Sequence, residues 1–165
     1  MKLINYKNFP ILIVNENSEK QKSFRVPFKN DFIIHTAKSR EEAIELLNQI
    51  NISIVIIKKI SNNALLEKFV NLIRSQSPVS SIILMINKQN KAAFEQYKNC
   101  DLFQSVIRNP IEKEQFYNAI DYSIKVYKLN IEIQKIKLEN ENNQKQLNET
   151  LATLSQNYKQ LVNTQ

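Results

Sequence analysis

Few residues in this chain have the type and placement to do chemistry, and the most prominent are two lysines where a strand should end. Lys58 and Lys59 follow Ile54, Val55, Ile56 and Ile57, four consecutive β-branched apolar residues. Such a run is buried on both faces, as in the middle of a parallel sheet. Ligands of open α/β sheets sit at the carboxyl ends of such strands, so this crevice would open on an ammonium group. A second strand-type run, Ile11 to Val14, leads into Asn15, Glu16 and Asn17. That places one carboxylate at an adjacent strand end, and Glu16 and Lys58 are expected to pair as counter-ions. His35, the single histidine, falls in the apolar stretch 32–37 and reads as a packed or edge residue, not a catalyst. Cys100 is the single cysteine, so an intrachain disulfide and a cysteine metal cluster are both excluded. The chain contains no glycine. It therefore has neither a Walker loop nor a dinucleotide fingerprint, and its helices lack the usual C-cap residue. No metal and no cofactor is expected.

The elements that would position these residues alternate regularly. After a polar lead-in over residues 1–10 and the strand Ile11 to Val14, Ser18 can cap a helix running to about Phe24, where Pro27 stops it. A strand is predicted over 31–37. Ser39 followed by Glu42 matches a capping box, and Ala43, Ile44, Leu46 and Leu47 give the next helix one apolar face to about Asn51. The strand 53–57 comes next, then a helix over 63–76 with Leu65, Leu66, Phe69, Val70, Leu72 and Ile73 at helical spacing. A buried strand over 80–86, a weakly amphipathic helix over 88–99 and a short strand over 102–107 follow. Arg108, Asn109 and Pro110 end that strand, and a helix starting near Ile111 carries Phe116, Ile120 and Ile124. Five β segments thus alternate with five α segments. The fold class is α/β, a five-stranded parallel sheet wound on both faces in the flavodoxin-like order 2-1-3-4-5.

The chain has 165 residues, enough for one domain and an appendage, and the domain boundary is placed between 121 and 122. Beyond it there is no proline and no strand-type run. Tyr122, Val126, Leu129, Ile133, Ile136, Asn140, Asn143 and Leu147 follow steps of four and three; one extra step of four reaches Leu151, and Leu154, Tyr158 and Leu161 resume the pattern. This is a coiled-coil seam with a stutter, in which Asn140 and Asn143 would fix register and strand number. The competing reading is a solvated, partly frayed single helix. It leaves the leucines uncovered, so a parallel homodimer is expected.

Charge and hydropathy bound the partners. Lys and Arg number 23 against 16 Asp and Glu, for a net charge of +7. The lysines are scattered, with no arginine-rich run and no basic–aromatic stripe, so nucleic-acid binding is the weaker alternative. The longest apolar run, 82–86, is too short to span a bilayer. With no signal-peptide core and a lone cysteine, a cytoplasmic location is expected.

Five stretches, taken in order, resemble a bacterial response-regulator receiver domain over about residues 9–126. They are Ile11 to Val14 before a polar turn, the stretch TAKSREEAIELL from Thr36 to Leu47, residues 53–57, residues 82–86, and Asn109-Pro110 before the last helix. The continuation into a charged helix is similar to receivers that carry an output module behind a coiled-coil linker. The resemblance implies a site for Mg²⁺ and a phosphoryl group, and this chain departs from it at nearly every position. The two acidic positions after the first strand are Asn15 and Glu16. The phospho-accepting aspartate is matched by Lys58, the hydroxyl residue of the fourth strand by Ile86, the lysine before the last proline by Asn109, and the switch aromatic by Val106. Aspartyl phosphate needs a carboxylate nucleophile and a divalent ion; Lys58 cannot be the first and repels the second.

Three functions compete at this stage. The first is a phosphorylation-independent pseudo-receiver, a protein-interaction and dimerisation module of bacterial signal transduction, or the regulatory part of a larger protein. The second is an enzyme using Lys58 as an amine nucleophile, which lacks a base nearby. The third is a basic nucleic-acid-binding or scaffolding adaptor. The resemblance implies that an unknown signalling partner docks on the fourth helix, fifth strand and fifth helix, with Phe94, Tyr97, Phe103 and Tyr117 as contacts.

Overall fold

A computed structural model of the chain describes residues 3–16, 29–58 and 62–164. The expected helix from Ser18 to Phe24, its stop at Pro27, and Lys59 all lie outside the described residues. Among the described residues the strands are β1 (Ile11–Val14), β2 (Ile34–Ala37), β3 (Ile54–Lys58), β4 (Ser81–Asn87) and β5 (Ser105–Asn109). The helices are α1 (Arg40–Gln49), α2 (Asn63–Gln76), α3 (Lys91–Tyr97) and α4 (Lys113–Asn163). The strands form one parallel sheet in the order β2-β1-β3-β4-β5. This is the flavodoxin-like arrangement expected for alternating β and α segments.

The sheet is central because its strands are apolar on both faces. Every residue of β1 is buried, as are Ile54 to Ile57 of β3 and Ser81 to Ile86 of β4. Alternation sorts them into two layers. Leu12, Val14, Val55, Ile57, Leu84 and Ile86 pack with Leu47 of α1, Phe69 and Ile73 of α2 and Ala93 of α3. Ile11, Ile13, Ile54, Ile56, Met85 and Ile107 pack with Phe116, Ile120 and Ile124 of α4. Each fully buried aliphatic side chain contributes about 1.5–3 kcal/mol of transfer free energy.

Asparagine and serine start the helices. Ser39 Oγ accepts the Glu42 N–H at 3.1 Å, Asn62 Oδ1 that of Leu65 at 3.2 Å, and Asn90 Oδ1 that of Ala93 at 3.1 Å. The Glu42 carboxylate reaches back to the Lys38 N–H at 2.7 Å, one residue before the cap. Without glycine no left-handed cap closes these helices: Ile50 closes α1 in extended backbone (φ −128°, ψ 139°), Ser77 closes α2 at φ −141°, ψ 77°, and Lys98 closes α3 still helical at φ −57°, ψ −30°. No described residue has a positive φ.

Several boundaries differ from the sequence expectation. β2 begins at Ile34, not 31, because Lys29–Asp31 forms a 3₁₀ turn and Phe32 enters the core. α3 begins three residues later than expected, because Asn87 to Asn90 make a turn closed by the Asn90 N–H on the Asn87 carbonyl at 2.8 Å. β5 is displaced toward the C-terminus, from 102–107 to Ser105–Asn109. The Leu102 carbonyl is taken by Arg74 Nη2 at 2.7 Å and Phe103 turns inward, so pairing starts only at Ser105. Arg108 and Asn109, read as the end of the strand, pair within it opposite Ile86 and Asn87. The lead-in is more than polar: Tyr6–Asn8 forms a 3₁₀ turn, and Ile4, Tyr6 and Phe9 cover the α4 side of the sheet.

The last helix runs unbroken for 51 residues. The compact unit continues to Asn130, and residues 131–165 form a second unit. The division thus falls inside the helix and past the 121/122 boundary, because Ser123 and Ile124 are still buried against the sheet.

Candidate functional site

The carboxyl edge of the sheet gathers the residues that resemble a phosphorylation pocket. Val14, Ile57, Leu84 and Val106 stand side by side in register across β1, β3, β4 and β5. Just beyond this row lie Asn15 and Lys58, with Lys58 opposite Met85. Asn15 is 5% exposed and its N–H donates to the Ala37 carbonyl at 3.0 Å. Ile86 is fully buried in the layer of α1 to α3, so it offers packing where a hydroxyl would offer a hydrogen bond. Asn109 closes β5 with its carbonyl accepting the Lys88 N–H at 2.9 Å, and the Asn109–Pro110 bond is cis.

The expected Glu16–Lys58 pair is not formed. Glu16 Oε1 instead accepts from Arg40 Nε at 2.8 Å, with both side chains about one-third exposed. Strand alternation supplies the reason. Glu16 follows Leu12 and Val14, which face α1 to α3, and Arg40 opens α1 on that side. Lys58 follows Ile54 and Ile56, which face α4. The two charges leave the sheet on opposite faces. Nothing in the sequence pattern singled out Arg40 beyond its place after a cap.

These residues do not fit a magnesium ion. A divalent site of this class needs several oxygen ligands with net negative charge. Here Glu16 is engaged by a guanidinium, Asn15 is neutral and Lys58 is a cation. Among the described residues no group of three or more His, Cys, Asp or Glu is placed to hold a metal.

The expected partner face divides under inspection. Tyr97 (2% exposed) and Phe103 (7% exposed) are core residues, packed edge to face at 5.7 Å between ring centroids. They are withdrawn as contacts, because the loop before β5 turns Phe103 inward against α3. Phe94 is half-buried, with the Arg108 guanidinium carbon 3.8 Å from its ring centroid. Beside this stack runs an open groove of about 530 Å³ between α3, β5 and α4, lined by Phe94, Ser105, Val106, Arg108, Gln115 and Asn118 among others. Val106, which the resemblance matches to the switch aromatic, is part of its wall. Tyr117 lies elsewhere, in an aromatic cluster with Tyr6, Phe32 and Phe116.

That cluster was not legible in the sequence. The Tyr6 hydroxyl donates to Asp121 Oδ1 at 2.7 Å, and the Tyr117 hydroxyl donates to the Asp31 carboxylate. Burial first, and then these hydrogen bonds to carboxylates, push both phenols up to about 12. Phe9 extends the contact to Tyr127 at 6.2 Å and to Lys128 Nζ at 5.4 Å. The N-terminal segment thereby ties down the first half of α4.

The seam residues of α4 are exposed. In the first half, Tyr122 and Leu129 are 53% and 56% exposed although Phe116, Ile120 and Ile124 are buried. At about 100° per residue the two stripes are roughly 170° apart, on nearly opposite sides of the helix. Farther along, Ile133, Ile136, Leu147, Leu151, Leu154, Tyr158 and Leu161 are all about half exposed or more, and Val126 is intermediate. Asn140 and Asn143 are exposed between them.

No protein-family model matches the chain, and no curated protein matches it. Solved structures do. A response regulator receiver domain protein from Clostridium thermocellum superposes with a TM-score of 0.57 at 18% identity, over 73% of this chain and 98% of that one. The signal receiver domain of an HD domain-containing protein from Pseudomonas fluorescens gives 0.58 at 15% identity, over 72% and 96%. A structure described as adenylate cyclase from Rhodopirellula baltica gives 0.61 at 18% identity, over 81% and 97%. Likeness at these identities establishes the fold, which is that of response-regulator receiver domains followed by a long C-terminal helix.

Proposed function

We propose that this chain is a phosphorylation-independent pseudo-receiver, a cytoplasmic interaction and dimerisation module of bacterial signal transduction that does no catalysis. One observation carries the reading: on a receiver fold, the central strand β3 ends in Lys58, where the chemistry of the class needs a carboxylate. An amine cannot accept a phosphoryl group as an acyl phosphate, and its charge opposes Mg²⁺. With the phosphorylation switch gone, the signal must arrive by binding or leave by association. Two surfaces support that. The seam from Tyr122 to Leu161 offers an apolar stripe, interrupted at Asn140 and Asn143, to a second copy in parallel, and the α3–β5–α4 groove offers a face to a signalling partner. No described helix is long and apolar enough to cross a membrane.

The test has two arms. Incubation with acetyl phosphate or beryllofluoride and Mg²⁺ should leave mass and near-ultraviolet spectrum unchanged; uptake of one phosphoryl group would overturn the pseudo-receiver. Light scattering at micromolar concentration should give twice the chain mass of 19.4 kDa; a monomer would remove the dimerisation role.

A further inference from the structure

The groove between α3, β5 and α4 holds a cation, Arg108, with no carboxylate partner among the described residues. The ion pairs Arg40–Glu16 and Lys98–Glu95 lie elsewhere, and among the described residues no carboxylate pairs with Arg108. The guanidinium lies over Phe94. Stacking uses the face of the group and leaves the N–H donors around its edge available, and it holds the fork in one orientation before anything binds. A half-buried guanidinium without an anion is partly desolvated at a cost, which a carboxylate arriving in fork geometry would offset.

The surroundings narrow the ligand. Among the lining residues there is no Asp or Glu, so nothing in the groove competes for Arg108. Val106 and Ala119 supply apolar wall. The Gln115 and Asn118 side-chain amides from α4 supply donors and acceptors together, the pairing a peptide backbone needs. A small anion would use Arg108 and the amide N–H donors but leave the amide acceptors and the apolar wall idle. The net charge of +7 favours a negative partner at longer range.

We propose that this groove binds an acidic segment of a partner protein, one carrying Asp or Glu next to an apolar side chain. Arg108 anchors the carboxylate, Val106 and Ala119 receive the apolar group, and Gln115 and Asn118 hold the backbone between them. This rests on reading the α3–β5–α4 face as the docking surface, and it names the chemistry that surface selects.

An array of random octapeptides probed with the full chain tests it. The captured peptides should be enriched in Asp or Glu within three residues of Leu, Ile or Phe. Soluble copies of them should bind Arg108→Gln at least about tenfold more weakly, the scale of one lost charge-assisted hydrogen bond. Asn118→Trp, at an exposed position, should fill the groove and abolish the same binding, which keeps the test open if Arg108→Gln fails to fold. Captured peptides that lack acidic residues yet are lost in Asn118→Trp would overturn the acidic preference and leave the docking face standing. Capture insensitive to Asn118→Trp, or no capture at all, would overturn both. Displacement of the selected peptides by equal concentrations of inorganic phosphate or acetate would reduce the site to a simple anion site and overturn the proposal.

Discussion

The two halves of α4 are one continuous helix in two different situations. From Lys113 to Asn130 the helix lays Phe116, Ala119, Ile120, Ser123 and Ile124 against the sheet, and Ser81 Oγ donates to the Ser123 carbonyl at 2.7 Å. From Ile131 to Thr164 no described residue is buried, and leucine after leucine is more than half exposed. Apolar residues recur at helical spacing in both halves, with a break at Asn140 and Asn143 and a stutter in the second. The difference is supply: the first half meets a surface within its own compact unit, while the second carries a stripe that no described residue buries. A helix stripe therefore specifies that something must pack there, and only the tertiary structure tells which stripes are already satisfied.

Substitutions that act on one half and spare the other would sharpen this contrast. The largest effect is expected from Leu151→Asp combined with Leu154→Asp, which should convert the proposed dimer to a monomer in light scattering and lower helical circular dichroism. The compact unit should keep its own unfolding transition. Phe116→Ala should do the reverse, destabilising the compact unit by about 3–5 kcal/mol in a denaturant titration with no change in association. If Phe116→Ala also dissociates the chain, the two halves are not separable as described.

Asn143→Leu should raise the melting temperature of the second half while loosening its choice of strand number, read as trimer or tetramer in sedimentation, because an amide that the proposed dimer would bury penalises those alternatives.

A smaller effect belongs to the tyrosines that tie the lead-in to α4. Tyr6 and Tyr117 are raised from 10 to about 12, so folding favours their neutral forms. Their contribution is complete below pH 10 and is lost as pH rises from 10 toward 12, since the unfolded chain releases these protons first. The double change Tyr6→Phe with Tyr117→Phe should flatten the fall in stability over that window. An unchanged slope would mean the carboxylate bonds do not persist in solution. The smallest effect is expected from Arg40→Ala, because the Glu16–Arg40 pair is partly solvated: about 0–1 kcal/mol.

Much of the compact unit could be read from the chain because its signals are local. The apolar runs of β1, β3 and β4 have one stable use, and α2 falls on Asn63–Gln76 because Asn62 caps it and four core residues recur along one face. β5 was displaced because its start is set by where the Leu102 carbonyl and the Phe103 ring go, and both depend on residues far away in sequence. The same holds for Tyr97 and Phe103, aromatic residues in weak local patterns that distant packing draws inward.

The sequence by itself determined the alternation of strands and helices, the apolar seam of the last helix, and the chemical poverty of the sheet's carboxyl edge. Those are properties of residue type and spacing, and no arrangement of the chain can turn Lys58 into a carboxylate. The tertiary structure alone decided the partners. It sent Glu16 to Arg40 instead of Lys58, because consecutive positions of a strand leave on opposite faces and the helices on those faces differ. It stacked Arg108 on Phe94 and bound Tyr6 to Asp121 across 115 positions of sequence, contacts that exist only once the sheet has brought separate segments together.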